Sequence, residues 1–132
     1  MKLVYIAGPY RAENHWGIEE NIHRARQLGA LVAQMGGVPL IPHANTAHWD
    51  GLCPDEFWLE AGIEMLRRCD AVALVDGWFE SAGTLAEIKE AERLGMPVFP
   101  PARGTALSLL NDWVRGTIDD DEARISCLAL GR

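Results

Sequence analysis

Short apolar runs alternate along this chain with longer segments in which apolar residues recur at helical spacing. The runs cover residues 3–7, 38–41, 71–75 and 98–99. The helical segments cover about residues 18–35, 54–68, 81–94 and 105–114. Strands and helices in strict alternation, joined by short connections, predict an α/β fold: a parallel sheet of four or five strands with helices on both faces.

The loops at one edge of this sheet are the expected place for a ligand. In open parallel sheets, ligands bind outside the carboxyl ends of the strands. Three loops follow predicted strands there, at residues 8–17, 42–53 and 76–81. We therefore expect the functional residues of this chain to come from these loops and from the helices that start at them.

The overall charge and the cysteines narrow the class of function. The 132 residues have a formal net charge of −7, so the chain lacks the basic surface that nucleic-acid polymers require. Three cysteines without metal-ligand spacing predict reduced thiols in a cytoplasmic protein, and no apolar run is long enough for a membrane span. We expect one domain over residues 1–116. Residues 117–132 read as an acidic, solvated tail whose apolar end is either frayed or packed on a partner subunit.

One carboxylate in the third helix is predicted to point inward. At about 100° per residue, with Leu85 as zero, Ala91 falls at about 240° and Leu94 at about 180°, within the apolar stripe. Glu87 falls between them, at about 200°. A buried lone carboxylate is costly, so it usually has a functional role. The alternative is that Glu87 lies at the margin of the stripe and reaches water or a nearby cation.

Two segments resemble the nucleoside 2-deoxyribosyltransferase superfamily. They are residues 5–11, YIAGPYR, and residues 81–87, SAGTLAE. The similarity extends over about residues 2–100. It implies a flavodoxin-like, Rossmann-like three-layer sandwich, a dimer or larger homo-oligomer, and no cofactor. It also implies that Glu87 is a nucleophile attacking C1′ of a nucleotide or nucleoside, with Tyr5 orienting it through its hydroxyl.

Within that superfamily, the chain is more similar to the hydrolases of nucleoside 5′-monophosphates than to the transferases. Ser81 stands where transferases carry an acid that holds the 5′-hydroxyl, and a serine with Arg11 nearby suits a phosphate. The alternatives are that Ser81 is only a helix cap and Arg11 only a surface residue. The expected substrate contacts are Gly8, Pro9, Tyr10, Arg11, His43, Ser81, Gly83 and, toward the site of a neighbouring subunit, Ser108.

The chain departs from the superfamily pattern at Gly62, where an aspartate supporting the nucleophile is common. A replacement acid must then come from a loop. Asp76, at the end of the third strand, is the first candidate, and Asp50 or Asp55 the next. The missing acid also supports a rival hypothesis, a nucleotide-binding module without catalysis.

Two other features of the loops have alternative readings. His43, His48 and Asp50 lie close in sequence, but nothing in their spacing fixes a metal site, so we expect none. Trp49 and Trp78 are candidates for stacking on a base, and ordinary packing is the alternative for each.

Overall fold

The sheet contains four strands among residues 1–131, the part of the chain that the computed structural model describes. They are β1 (Leu3–Ala7), β2 (Val38–Leu40), β3 (Ala71–Leu74) and β4 (Val98–Phe99). All are parallel, in the order β2-β1-β3-β4. This is the start of the flavodoxin-like order, in which the chain first builds to one side of β1 and then to the other.

Six α-helices lie within the same described residues. They are α1 (His15–Met35), α2 (Pro42–Asn45), α3 (Asp55–Leu66), α4 (Ala82–Arg93), α5 (Gly104–Val114) and α6 (Asp120–Leu130). The alternation predicted from the sequence is confirmed. Short α2 and a 3-10 turn at Trp78–Glu80 add structure to two of the predicted loops.

The helices form two layers, one on each face of the sheet. Alternate residues of a strand point to opposite faces, so Val4 and Ile6 of β1 pack with α1, α5 and α6, while Tyr5 and Ala7 pack with α3 and α4. This arrangement is the predicted three-layer sandwich.

The segment expected to be a solvated tail is a helix packed on the domain. In α6, Ala123 and Cys127 are buried in the same core cluster as α1 and α5. Asp119 caps α6 by accepting the Glu122 N–H at 2.8 Å, and Asp120 accepts the Trp113 indole N–H at 2.8 Å. The acidic run is therefore the start of a helix, where carboxylates offset the exposed N–H groups. Residue 132 lies outside the described residues.

None of the helices in residues 1–131 combines the length and the apolar character needed to cross a membrane.

Candidate active site

A cavity of about 510 Å³ opens at the carboxyl ends of β1, β2 and β3. Its size lies within the range of roughly 300–1,000 Å³ that is usual for small-molecule sites. From β1 and the loop after it come Tyr5, Gly8, Pro9, Tyr10 and Arg11, from α2 comes His43, and from α4 with its cap come Ser81, Gly83 and Glu87. The structure thus places these predicted residues around one cavity, at the predicted edge of the sheet.

Glu87 lies in the second turn of α4, with its carboxylate turned toward β1. The helix starts at Ala82 because the Ser81 side chain accepts the Thr84 N–H at 3.2 Å. Glu87 is partly buried, and its Oε2 accepts a short hydrogen bond from the Tyr5 hydroxyl. Tyr5 is itself only 1% exposed. The inward orientation predicted from the helical wheel is therefore observed, with a partner from a distant strand.

The protonation state of this pair follows from its burial. Burial raises the pKa of Glu87 to about 7, and the hydrogen bond from Tyr5 only partly offsets that rise. Burial, and then the neighbouring Glu87, raise the pKa of Tyr5, so its hydroxyl keeps its proton and is the donor. Loss of solvation therefore outweighs the contribution of the Tyr5 hydroxyl, and it shifts Glu87 toward its protonated form compared with an exposed glutamate.

The loop after β1 is held close to the sheet. A Cβ on Gly8 would lie 2.7 Å from the Val75 Cβ, so only glycine allows the ends of β1 and β3 to come this near. The Asn21 side chain of α1 donates to the Tyr10 and Arg11 carbonyls at 3.1 and 3.3 Å. This loop therefore has a defined position at the cavity.

Arg11 forms an exposed ion pair with Asp55 of α3 across the cavity mouth. Both side chains are more than half exposed, so the pair contributes little to stability and its guanidinium can exchange partners at low cost. Arg11 can therefore leave Asp55 and bind an anionic ligand at the cavity.

His43 is buried, and its hydrogen bonds define its tautomer. Its Nε2 lies 3.0 Å from both the Gly8 and the Pro9 carbonyl oxygens, which only accept, so Nε2 carries a proton. Burial lowers the pKa of His43, which favours the neutral ring with Nδ1 as an acceptor. His43 thus supports the loop after β1, and its Nδ1 is a buried acceptor without a hydrogen-bond partner among the described residues.

Three buried side-chain atoms of the described residues have no hydrogen-bond partner within the chain: His43 Nδ1, Trp58 Nε1 and Thr84 Oγ1. All three residues line the cavity. Buried polar atoms are normally bonded to protein or to ordered water, so these three are the positions around the cavity that need a further hydrogen-bond partner. The sequence analysis identified neither Thr84 nor Trp58 as a site residue, because nothing local marks either as facing a cavity.

Two of the predicted site residues lie away from the cavity. Asp76 is exposed, and both of its carboxylate oxygens accept from Nη1 of Arg103, at 2.7 and 2.8 Å. The first candidate for a replacement acid is therefore wrong in position: Asp76 lies outside the cavity wall and pairs at the surface with Arg103, which follows β4. Asp50 and Asp55, the next candidates, do line the cavity. Ser108 is exposed on α5, and its contact with a neighbouring subunit stays a prediction.

The two histidines and the aspartate after β2 have separate partners. His43 bonds the loop carbonyls, His48 pairs with Glu19, and Asp50 accepts the Tyr10 hydroxyl at 3.0 Å. That last bond holds the pKa of Asp50 below its usual range. No group of three or more His, Cys, Asp or Glu side chains within residues 1–131 is arranged to hold a metal ion.

The two tryptophans of the loops, Trp49 and Trp78, are not part of the cavity wall, which favours ordinary packing over stacking on a base. The Trp49 ring lies 6.5 Å from that of Trp58, and Trp78 packs edge-on against Phe79 and onto the core. Trp58, on α3, is the tryptophan at the cavity wall.

The comparison with known families identifies the domain that carries this site. A family model described as "Domain of unknown function (DUF7768)" matches residues 2–100, three quarters of the chain. The chain belongs to this family. The DUF7768 region runs from β1 to β4 and includes every residue of the cavity wall, while α5 and α6 lie beyond it.

A solved structure with the same overall arrangement is the 2-desoxiribosyltransferase from Leishmania mexicana. It superposes with a TM-score of 0.54 at 22% sequence identity, over 98% of this chain and 96% of that chain. At this identity the similarity establishes a shared fold, which confirms the flavodoxin-like prediction for this DUF7768 member. A search of the curated proteins finds no match.

Proposed function

We propose that this protein is an N-glycosidase that cleaves the base–sugar bond of a nucleoside or deoxynucleoside 5′-monophosphate. The observation that carries the proposal is Glu87, a carboxylate partly buried at a small-molecule cavity and bonded by a tyrosine that keeps its proton. Such a group can act as a nucleophile on a sugar carbon. The shared fold with a 2-desoxiribosyltransferase supports the same class of chemistry.

In the proposed reaction, an ionised Glu87 oxygen forms a bond to C1′ while the bond from C1′ to the base nitrogen breaks. The base leaves with the bonding electron pair and is protonated from solvent. Water then attacks C1′, loses a proton and releases the carboxylate, giving a sugar phosphate. The oxocarbenium-like transition state is positive, so a carboxylate held beside C1′ stabilises it.

The phosphate is proposed to lie between the start of α4 and the loop after β1. Ser81 accepts from Thr84 N–H and still has its own hydroxyl proton to donate, and Arg11 lines the same cavity. The first N–H groups of α4 add positive potential there. Ser81 is therefore a helix cap and a candidate phosphate ligand at once.

Two other functions remain as alternatives. Deoxyribose transfer is favoured by the name of the similar structure, and it differs only in the acceptor, a second base in place of water. A nucleotide-binding module without turnover is favoured by Gly62, since no acid stands there beside Glu87.

The test is a panel of ribo- and deoxyribonucleoside monophosphates, with the matching nucleosides, read by chromatography for free base. We expect base release from monophosphates to exceed that from nucleosides by roughly tenfold to a hundredfold, because each charge-assisted bond to phosphate contributes about 1.5–3 kcal/mol. Ser81→Ala should shrink this preference, and Ser81→Asp should reverse it by repelling the phosphate. Release only when a second base is added would establish the transferase instead, and binding without release would establish the module.

We also propose a homodimer or larger homo-oligomer. On α6, Ile125 and Leu128 are 58% and 53% exposed, and Leu130 is 43% exposed. Ile125 and Leu128 are three residues apart and share the face of α6 opposite the buried Ala123 and Cys127, which suits a subunit contact. Sedimentation at micromolar concentration should show a species of at least twice the chain mass, and Leu128→Asp should shift it toward the monomer. A wild type that sediments as a single chain would contradict this proposal.

A further inference from the structure

Gly62 is a buried glycine in the interior of α3. Glycine destabilises a helix interior relative to alanine, because it loses more backbone freedom on folding. Its φ is not in the left-handed region, so the backbone itself does not require glycine. A close approach of another group is the remaining physical reason.

The approaching groups are the two partners of the site. A Cβ on Gly62 would lie 2.9 Å from the Tyr5 hydroxyl oxygen and 3.2 Å from Glu87 Oε2. Apart from the neighbours of Gly62 in its own helix, no other described atom comes within 4 Å of that point. A side chain at this position would therefore collide with the hydrogen-bonded pair and with nothing else.

Of these two groups, Glu87 is the one that can move more freely. The Tyr5 ring is 1% exposed and belongs to the core cluster beneath α3 and α4, which keeps it in place. Glu87 has a flexible side chain with its end at the cavity. A methyl group at residue 62 would crowd the Tyr5 hydroxyl most closely and Glu87 Oε2 next, so both contacts are relieved only if the carboxylate shifts and the hydroxyl or α3 gives way slightly. Each of these shifts weakens the hydrogen bond between the two side chains.

We propose that Gly62 is a positioning residue, whose lack of a side chain lets the Tyr5 hydroxyl and the Glu87 carboxylate meet against the bare backbone of α3. Its effect on catalysis rests on the function proposed above, whereas its effect on the Tyr5–Glu87 pair does not.

The surroundings of the pair allow this effect to be measured by titration. Tyr5 faces Glu87 from β1, and Cys69, after α3, lies near Tyr5. The other titratable or charged side chains on the cavity wall are Tyr10, Arg11, His43, Asp50, Asp55 and Glu80. The Tyr5 hydrogen bond lowers the pKa of Glu87, so losing it should raise that pKa further.

The experiment follows the carboxyl carbons of glutamate by NMR across pH, with Glu87→Gln identifying the Glu87 signal. We expect Gly62→Ala and Tyr5→Phe each to move the Glu87 midpoint upward by about one pH unit, the size expected for one hydrogen bond to a charged group. In the Tyr5→Phe protein, adding Gly62→Ala should change the Glu87 midpoint little, because the hydroxyl that bonds Glu87 is already absent. Glu60→Ala, a helix-favouring change at an exposed position of α3, is the matched control and should leave the midpoint unchanged.

Two results would overturn the proposal. One is a Glu87 midpoint that Gly62→Ala leaves unchanged. The other is a shift from Gly62→Ala that is as large in the Tyr5→Phe protein as in the wild type. If Gly62→Ala alone does not fold, the double variant should, since it lacks the atom nearest the added methyl. If neither the single nor the double variant folds, the packing of α3 requires glycine at residue 62 and the Tyr5–Glu87 pair does not. None of these outcomes depends on turnover, so they stand even if the substrate panel shows no base release.

Discussion

Replacing Glu87 with glutamine should reduce base release by on the order of a thousandfold or more while the protein stays folded. The amide keeps the size of the side chain and can still accept the Tyr5 hydroxyl, but it cannot form a stable bond to C1′. Steady-state kinetics on the best monophosphate measures the loss. Because the lost interaction exists only in the transition state, kcat should fall far more than KM changes.

Glu90→Gln is the matched control for this prediction. Glu90 lies on the same helix, pairs with Arg67 and Arg93, and is not part of the cavity wall. Its substitution should leave kcat within a few fold. Comparable turnover by Glu87→Gln and the wild type would remove Glu87 from the mechanism, whatever the fate of the substrate assignment.

The same substitution should make the protein more stable at alkaline pH. The pKa of Glu87 is about 7 in the folded chain against an ordinary 4.5, so the folded state binds this proton more tightly than the unfolded state. A raised pKa contributes stability that is fully present below about pH 4.5 and lost as pH rises through about 7. The difference corresponds to roughly 3 kcal/mol at about 1.4 kcal/mol per pH unit.

Urea unfolding of the wild type and of Glu87→Gln, from pH 4 to pH 9, tests this prediction. The difference between their free energies of unfolding at each pH isolates Glu87, because every other titrating group is the same in both proteins. The variant should gain up to about 3 kcal/mol over the wild type above pH 8, and the gap should close toward pH 4.5. The reverse order, with the wild type more stable at high pH, would mean that Glu87 is stabilised as an anion.

The pH dependence of kcat/KM should report the same group. On the acid side of the profile, kcat/KM should rise with pH through a midpoint near neutral pH, since the ionised form of Glu87 is the nucleophile.

Part of this protein could be predicted from the sequence because local patterns determine it. Apolar runs ended by glycine or proline marked the strands, and Ser81 marked the start of α4, where its side chain does cap the helix. The inward direction of Glu87 is predicted by its spacing to the fully buried Ala91, since one helix turn determines which side chains share a face. Leu94, the other reference side chain, is 40% exposed at the end of α4.

The tertiary structure decided what those residues contact. Glu87 meets Tyr5, 82 positions away, only because α4 packs on the face of the sheet from which Tyr5 points. Asp76 lies outside the cavity wall and pairs with Arg103, which follows β4. Residues 120–130 join the core because their two small buried residues pack beside α5. In the sequence, Gly62 indicates only that an acid is absent. In the structure, it lies so close to the Tyr5–Glu87 pair that an added Cβ would contact both side chains. Each of these contacts joins segments far apart in the chain, and helical or strand periodicity carries no information about which distant side chains meet.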